Sequence, residues 1–439
     1  MNFREAVEYL LSLGHETLAM KLGLRNTELL LDSLNNPQRA FFSVQIAGTN
    51  GKGSTAVVLD SICRNSGIKT GLFTSPHLVS ITERIKINGT EISEEEFARC
   101  ATVVRNAANA LMAEQKIDAL PTFFEHVTAI GLLAFREAGI EIAILETGLG
   151  GRLDSTTAAR AQVVGITQIA MDHEEYLGST LESIAREKAA IVRPGVEAVV
   201  VAGQQEPEAL AIIKERCDEL QITPSINECT VELNEIASEG RMCASFKTRL
   251  ANYPRLWLGL IGEHQLENIA VAIQLAEKLR TKGIPITRQA IVRGVESAKH
   301  HGRLEHISTT RDFLLDGAHN PAGARALRKH LERFVTSDLT IVFGAMRDKQ
   351  LDTLGELIFP LAKHLILTHI NNARSADLQT LREIAEQHLS AEQIGLANTS
   401  AEAIEMAIDK TPSLGLICVT GSLYLIGEVR ALLLKAPVA

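Results

Sequence analysis

Gly48-Thr49-Asn50-Gly51-Lys52-Gly53-Ser54 packs three glycines, a lysine and two hydroxyls into seven residues. Apolar Phe41-Phe42-Ser43-Val44-Gln45-Ile46-Ala47 precedes it, and residues 54–65 follow with apolar side chains at three- and four-residue spacing. A strand, a glycine-rich turn, a lysine and a hydroxyl in that order describe a phosphate cradle. The glycines let backbone N–H groups close around phosphates, the lysine neutralises them, and the helix N-terminus adds its dipole. The Ser54 hydroxyl can reach Mg²⁺. The common form G-x-x-x-x-G-K-[ST] is not met: Ile46 stands where its first glycine belongs, and Gly53 separates Lys52 from Ser54. A plain glycine turn between strand and helix is the alternative, and it leaves the lysine unexplained.

Other residues carry chemistry only in context. Glu146 ends the apolar run Ile142-Ala143-Ile144-Leu145. A carboxylate at the carboxyl edge of a parallel sheet, beside a phosphate loop, can hold Mg²⁺; a solvated loop acid is the other reading. Gly148-Leu149-Gly150-Gly151-Arg152 is either a flexible turn or a close backbone approach to a ligand. Thr122-Phe123-Phe124-Glu125 opens a helical segment after Pro121, and a Phe pair there fits core packing as well as a site. Asn268 reads as a helix-surface amide, His173 as a loop histidine and Lys188 as a solvated lysine on a capped helix. Asp316 ends an apolar run, His319-Asn320-Pro321 lead into a helix, and Asn320 suits a cap. Gly421-Ser422-Leu423-Tyr424 repeats the strand-to-turn pattern or is a packing turn.

The elements that must position these groups follow from alternation. β-branched runs at 41–47, 71–74, 140–146, 162–169 and 198–202, then 313–316, 339–344, 364–368 and 416–420, predict strands. Helical periodicity lies between them, as at 54–65 and 180–192. Such alternation implies an α/β fold with parallel sheets covered by helices on both faces. Ser179 and Glu182 form a capping box for the second of those helices, and Pro194-Gly195 stops the chain behind it. A composition shift at 295–304, where His300, His301 and Gly302 follow a helical stretch, sets a domain boundary: residues 1–297 and 298–439.

Composition narrows the class. The 439 residues carry 44 Lys+Arg against 53 Asp+Glu, a net charge of −9, so no basic footprint for nucleic acid exists. Aromatics at 4% give few stacking platforms for single strands. No apolar run reaches the ~18 residues of a membrane span, and the N-terminus lacks the order of a signal peptide. A soluble, cytoplasmic protein is expected. Cys63, Cys100, Cys217, Cys229, Cys243 and Cys418 are too scattered for a zinc site or a disulfide framework and read as buried apolar residues.

Residues 48–54 resemble the ATP loop of the Mur ligase superfamily. Six later stretches resemble its folate branch, the folylpolyglutamate and bifunctional dihydrofolate synthases. They are Thr74-Ser75-Pro76-His77-Leu78, Leu145-Glu146-Thr147-Gly148-Leu149-Gly150-Gly151-Arg152-Leu153-Asp154, Asp172-His173, Arg186-Glu187-Lys188-Ala189, Asp316-Gly317-Ala318-His319-Asn320-Pro321 and Thr420-Gly421-Ser422-Leu423-Tyr424. They keep the family's order and cover nearly the whole chain.

The resemblance implies an N-terminal P-loop domain (1–297) binding ATP and folate, and a smaller Rossmann-like glutamate ligase domain (298–439), with the active site between them. It implies ligation of L-glutamate to folates, and to dihydropteroate, through an acyl phosphate. It assigns ATP to Thr49, Asn50, Gly51, Lys52, Gly53, Ser54, Asn268, Arg303 and Asp316. Magnesium, as two ions, falls to Ser54, Ser75, Glu146 and His173. The pterin or folate falls to Thr122, Phe123, Phe124, Glu125, Leu153, Asp154 and Ser155. Catalysis falls to Lys52, Lys188 and His319, with Lys188 carried as N6-carboxylysine. A monomer without nucleic-acid or membrane partners is implied. One departure stands out: Asp154-Ser155-Thr156-Thr157 replaces the family's common Asp-Ala-Thr-Asn. A cell-wall Mur ligase would need a further domain before its loop, for which 47 residues leave no room. A generic P-loop kinase or GTPase is disfavoured by Gly53 and the 316–321 motif. A non-enzymatic nucleotide-binding protein would be free to lose Glu146 or His173.

Overall fold

Every predicted strand is present in the structure, a computed structural model that describes residues 1–14, 23–226, 228–238 and 240–434. The first sheet comprises β1 (Phe42–Ala47), β2 (Thr70–Phe73), β3 (Ile85–Ile87), β4 (Thr90–Glu91), β5 (Ile142–Glu146), β6 (Val163–Ile166), β7 (Ala198–Val201) and β8 (Ser225–Ile226). Their order is β4-β3-β2-β5-β1-β6-β7-β8, parallel except for β2–β3 and β3–β4. Both faces are covered. In β5, Ile142 and Ile144 pack with Val58, Leu59 and Ile62 of the helix Lys52–Asn65 and with Ile269 and Ile273 of the helix Gln265–Thr281. Ala143 and Leu145 point the other way, to Phe97, Val104, Ile130 and Phe135. Period-2 alternation between two apolar layers explains why these strands read as unbroken hydrophobic runs. Each fully buried Leu, Ile or Phe contributes about 1.5–3 kcal/mol by leaving water.

A three-stranded antiparallel meander, β9 (Cys229–Ile236), β10 (Met242–Thr248) and β11 (Asn252–Trp257), leans on the helix Gln265–Thr281. Tyr253 Oη and Thr248 Oγ1 both donate to Glu277 Oε1 at 2.8 Å. The sequence reading missed it, because β9 alternates polar and half-buried residues and β11 contains Pro254.

A separate six-stranded sheet begins at Glu305: β12 (Glu305–Ser308), β13 (Asp312–Leu315), β14 (Leu339–Phe343), β15 (His364–Thr368), β16 (Ile394–Ala397) and β17 (Leu416–Thr420). Its order is β12-β13-β17-β14-β15-β16, parallel apart from β12–β13. Each sheet turns the carboxyl ends of its parallel strands toward the other, so the loops after β1, β2, β5 and β6 meet those after β13, β14, β15 and β17. All six cysteines are buried and unpaired. Among the described residues, no helix is long and apolar enough to cross a membrane.

The expected Ser179/Glu182 capping box is corrected by one position. Thr180 caps the helix Leu181–Ala189, its Oγ1 accepting from Ser183 N at 3.2 Å while Ser183 Oγ reaches back to Thr180 N. Thr180 has the extended backbone that an N-cap needs (φ −123°, ψ 149°).

Candidate active site

The loop after β1 is shaped by close approaches. Gly51, with φ +87°, is the N-cap of the helix Lys52–Asn65, and a Cβ there would lie 2.0 Å from Asn268 Oδ1. Gly48 abuts Thr167 in the same way, at 1.9 Å from Oγ1. Any side chain at either position would displace the neighbour that walls the loop. Thr49 and Asn50 donate their N–H groups to Gln168 O at 2.8 and 3.3 Å, which ties this loop to the one after β6. Lys52 Nζ folds back onto Gly48 O and Thr49 O, each at 3.1 Å. Asn50 Oδ1 accepts from Asn320 Nδ2 at 3.0 Å, while its own Nδ2 is buried without a partner. Asn320 also caps its own helix through Gly323 N at 2.9 Å, as its place before Pro321 predicts.

Glu146 ends β5 beside this loop and accepts from Ser75 N at 3.1 Å. Burial pushes its carboxyl above the usual range, with Lys52 opposing. Ser54 Oγ lies 3.1 Å from His300 Nδ1, a residue outside every motif found in the sequence. Arg303 sits with Asp316 and Glu146: Asp316 is pushed up by burial and pulled back by Arg303, and it accepts from Leu304 N (2.9 Å) and Ala318 N (3.1 Å). Asn268 Nδ2 is held by Gln265 Oε1 at 2.9 Å; the side chain is buried against the loop rather than on a helix surface.

A second cluster faces the loop from the far side of β6. Lys188 is buried and donates to Gly48 O at 2.8 Å. Burial, reinforced by Lys52, lowers its pKa to about 7. Asp172 Oδ1 takes Lys349 Nζ at 2.9 Å, and its Oδ2 lies 3.7 Å from His173 Nε2 and 3.9 Å from His319 Nε2. Burial alone would push Asp172 up, but these three neighbours hold it well below the carboxylate range. Burial lowers both His173 and His319 to about 4, so both are neutral at pH 7 and Lys349 is the counter-ion. A neutral imidazole is the form able to ligate a metal.

Beside this second cluster lies a cavity of about 270 Å³. Ser75, His173 and His319 line it together with Thr122, Phe124, Glu125, Leu153, Asp154 and Ser155. Phe123 does not: its ring is buried in the helix core, with Arg84 stacked over it at 5.5 Å. Phe123 is thus a core residue, while Phe124 lines the cavity and also packs its ring edge-on against Phe73, as neighbours on a helix diverge by ~100°. Thr122 and Glu125 cap the helix Phe123–Ala138 reciprocally. The Asp154 carboxylate turns inward, accepting from Gly148 N (2.8 Å), Leu149 N (3.0 Å) and Thr156 N (3.0 Å), so it shapes the loop. Ser155 Oγ pairs with Thr128 Oγ1 at 2.5 Å. Residues 421–424 also line the cavity, as do Met346, Lys349 and Arg374. The sequence reading named none of the last three, because isolated residues after β14 and β15 form no motif.

Residues 46–276 match the Mur ligase middle domain, and residues 302–423 match the Mur ligase glutamate ligase domain. The chain is 34% identical over 425 residues to the dihydrofolate synthase/folylpolyglutamate synthase of Bacillus subtilis, covering 95% of this chain and 96% of that one. The structure of Mycobacterium tuberculosis folylpolyglutamate synthase complexed with ADP superposes with a TM-score of 0.92, at 28% identity and 99% coverage of both chains. E. coli FolC in complex with DHPP and ADP follows with a TM-score of 0.86, at 28% identity, covering 99% of this chain and 98% of that one.

Proposed function

This chain belongs to the Mur ligase family, in its folate branch, and from that membership we propose that it ligates L-glutamate to a folate-type carboxylate with ATP. The observation that carries this is the facing of two loop sets across one cavity. Ser75, Leu153 and His173, from loops of the first sheet, line one side, and His319, Lys349 and Ser422, from loops of the second, line the other, while the glycine cradle is tied to the same meeting of loops through Asn50 and Asn320. Residues 1–297 bind nucleotide and acceptor, and residues 298–439 bring the amino acid.

A carboxylate is a poor acyl donor, so phosphoryl transfer to it comes first and gives an acyl phosphate. Lys52 and the loop N–H groups of residues 49–54 hold the phosphates, with Arg303, Asp316 and Asn268 around the nucleotide. Lys52 leaves Gly48 O and Thr49 O to do so. The glutamate amine then attacks the acyl carbon and phosphate leaves. Neutral His319 and cationic Lys349 flank that space, where negative charge develops on the tetrahedral oxygen.

Ser54, Ser75 and Glu146 offer hard oxygen atoms, and His173 a neutral imidazole. The buried Glu146 carboxylate, given one N–H by Ser75, suits a cation. Mg²⁺ held there would neutralise phosphate charge. The acceptor occupies the cavity beside Phe124, Leu153 and Ser155; dihydropteroate and a reduced monoglutamyl folate both carry the aryl carboxylate or γ-carboxylate this chemistry needs. The protein acts as a soluble monomer in the cytoplasm.

The test is ADP release with purified protein against an acceptor panel. Release should require acceptor and L-glutamate together, with both dihydropteroate and tetrahydrofolate accepted. Release without either substrate, or none with any folate, would defeat the reading; use of tetrahydrofolate alone would leave only the polyglutamate activity.

A further inference from the structure

Gly53 is the residue that this loop inserts between its lysine and its hydroxyl, and the structure gives it surroundings that no motif foretells. A Cβ at position 53 would lie 3.0 Å from His300 Cε1 and 3.3 Å from each carboxylate oxygen of Glu146. Imidazole, carboxylate and the Ser54 hydroxyl therefore gather around one glycine. His300 comes from beyond the helix Arg288–Ser297, three residues before Arg303, and still reaches Ser54 Oγ with Nδ1 at 3.1 Å. It also lines the small cavity shared by Gly53, Ser75, Glu146 and Arg303.

A serine hydroxyl has one proton and two lone pairs. If the O–H is donated in a hydrogen bond to a ring nitrogen, both lone pairs stay free and the oxygen gains partial negative character, which favours a cation. The ring is placed to accept: its Nδ1 lies within hydrogen-bond distance of Ser54 Oγ, and an imidazole with its proton on Nε2 offers a lone pair there. We propose that His300 is a positioning residue whose Nδ1 accepts a hydrogen bond from the Ser54 hydroxyl and holds the oxygen ready for the magnesium of bound nucleotide. The inference rests on reading residues 48–54 as the nucleotide loop. Its consequence is that the cation side of the loop is completed from the segment leading into the second sheet, so metal-dependent nucleotide affinity depends on that segment as well as on the loop.

Calorimetric ADP binding to the full chain, with and without Mg²⁺, tests this with His300→Ala, His300→Asn, Ser54→Ala and the double Ser54→Ala/His300→Ala variant. Asn can place a side-chain oxygen near the Nδ1 position. His300→Ala should weaken ADP binding about tenfold with Mg²⁺ and less than about twofold without it, the scale seen when a ligand's supporting hydrogen bond is removed. His300→Asn should recover most of the loss. The double variant should match Ser54→Ala alone, because the histidine acts only through the hydroxyl. Equal losses with and without Mg²⁺, additive losses in the double variant, or no loss in His300→Ala would each overturn the proposal. No ADP binding by the parent protein would overturn the nucleotide reading itself.

Discussion

Lys52, Glu146 and Lys188 have environments that packing alone does not require. Lys52 and Glu146 flank the phosphate loop, where each supplies charge for chemistry while the strands and helices around them hold the fold. Lys52→Ala and Glu146→Ala should each lower turnover by roughly 10²–10³-fold or more with an unchanged melting temperature; normal ligation by either would remove the phosphate-site assignment. Lys188 is the sharper case. A buried amine with a pKa of about 7, against an ordinary 10.5, is largely neutral above pH 7 and protonated below it. A neutral amine adds CO₂ to give a carbamate and a proton, replacing a cation by an oxygen anion that can orient Mg²⁺. Bicarbonate-depleted enzyme should therefore regain activity on adding bicarbonate, faster at pH 8 than at pH 6, with a ¹³C carbamate signal from labelled CO₂. Lys188→Ala should be nearly inactive and partly rescued by short carboxylic acids. Full activity of the depleted enzyme without such a signal would sink the assignment.

At the scale of elements, the loop after β5 shows how one side chain can both line the cavity and build the loop that forms its wall. Asp154 is committed to three backbone N–H groups of its own loop. Asp154→Ala leaves those donors unsatisfied, which costs about 1–3 kcal/mol each where water cannot replace the acceptor. Its expected signature is a lower melting temperature and an acceptor KM raised about tenfold, since loop order sets the cavity wall, with ATP KM unchanged. A change confined to ATP kinetics would contradict this. The departure at Ser155 and Thr157 is absorbed locally: Ser155 Oγ pairs with Thr128 Oγ1, and Thr157 Oγ1 accepts from buried Gln45 Nε2 at 2.7 Å, as Thr156 Oγ1 does at 2.9 Å. The threonines thus tie the loop to β1.

Across the whole molecule, the two halves meet through polar pairs, Asn50–Asn320, Ser54–His300, Asp172–Lys349, Glu174–Gln350 and Glu263 with Lys329 and Arg333, and through Leu78, which packs against an apolar core of the second half. Interfaces of this polar kind permit relative motion, as a ligase that must admit three substrates requires. Arg303 stands where both halves converge, between Glu146 and Asp316. Arg303→Ala should raise the KM for ATP about tenfold, the scale of a lost charge-assisted hydrogen bond, while leaving the melting temperature close to that of the parent. Steady-state kinetics at varied ATP check it, and unchanged kinetics would show that the second half does not close over nucleotide.

The sequence by itself determined what depends on neighbours along the chain. Strands buried on both faces spell unbroken apolar runs, and the 48–54 loop carries glycines where backbone must approach backbone, so both were legible. The motif residues 146, 173, 188, 316 and 319 were legible as well, through their resemblance to a family. Only the tertiary structure decided which side of a helix faces the cavity, separating Phe123 from Phe124. It alone brought His300 to Ser54 and Lys349 to Asp172, pairs 246 and 177 residues apart. Such contacts leave no periodicity or spacing in a single sequence. They arise when two sheets, each folded for its own core, present their carboxyl edges to the same space.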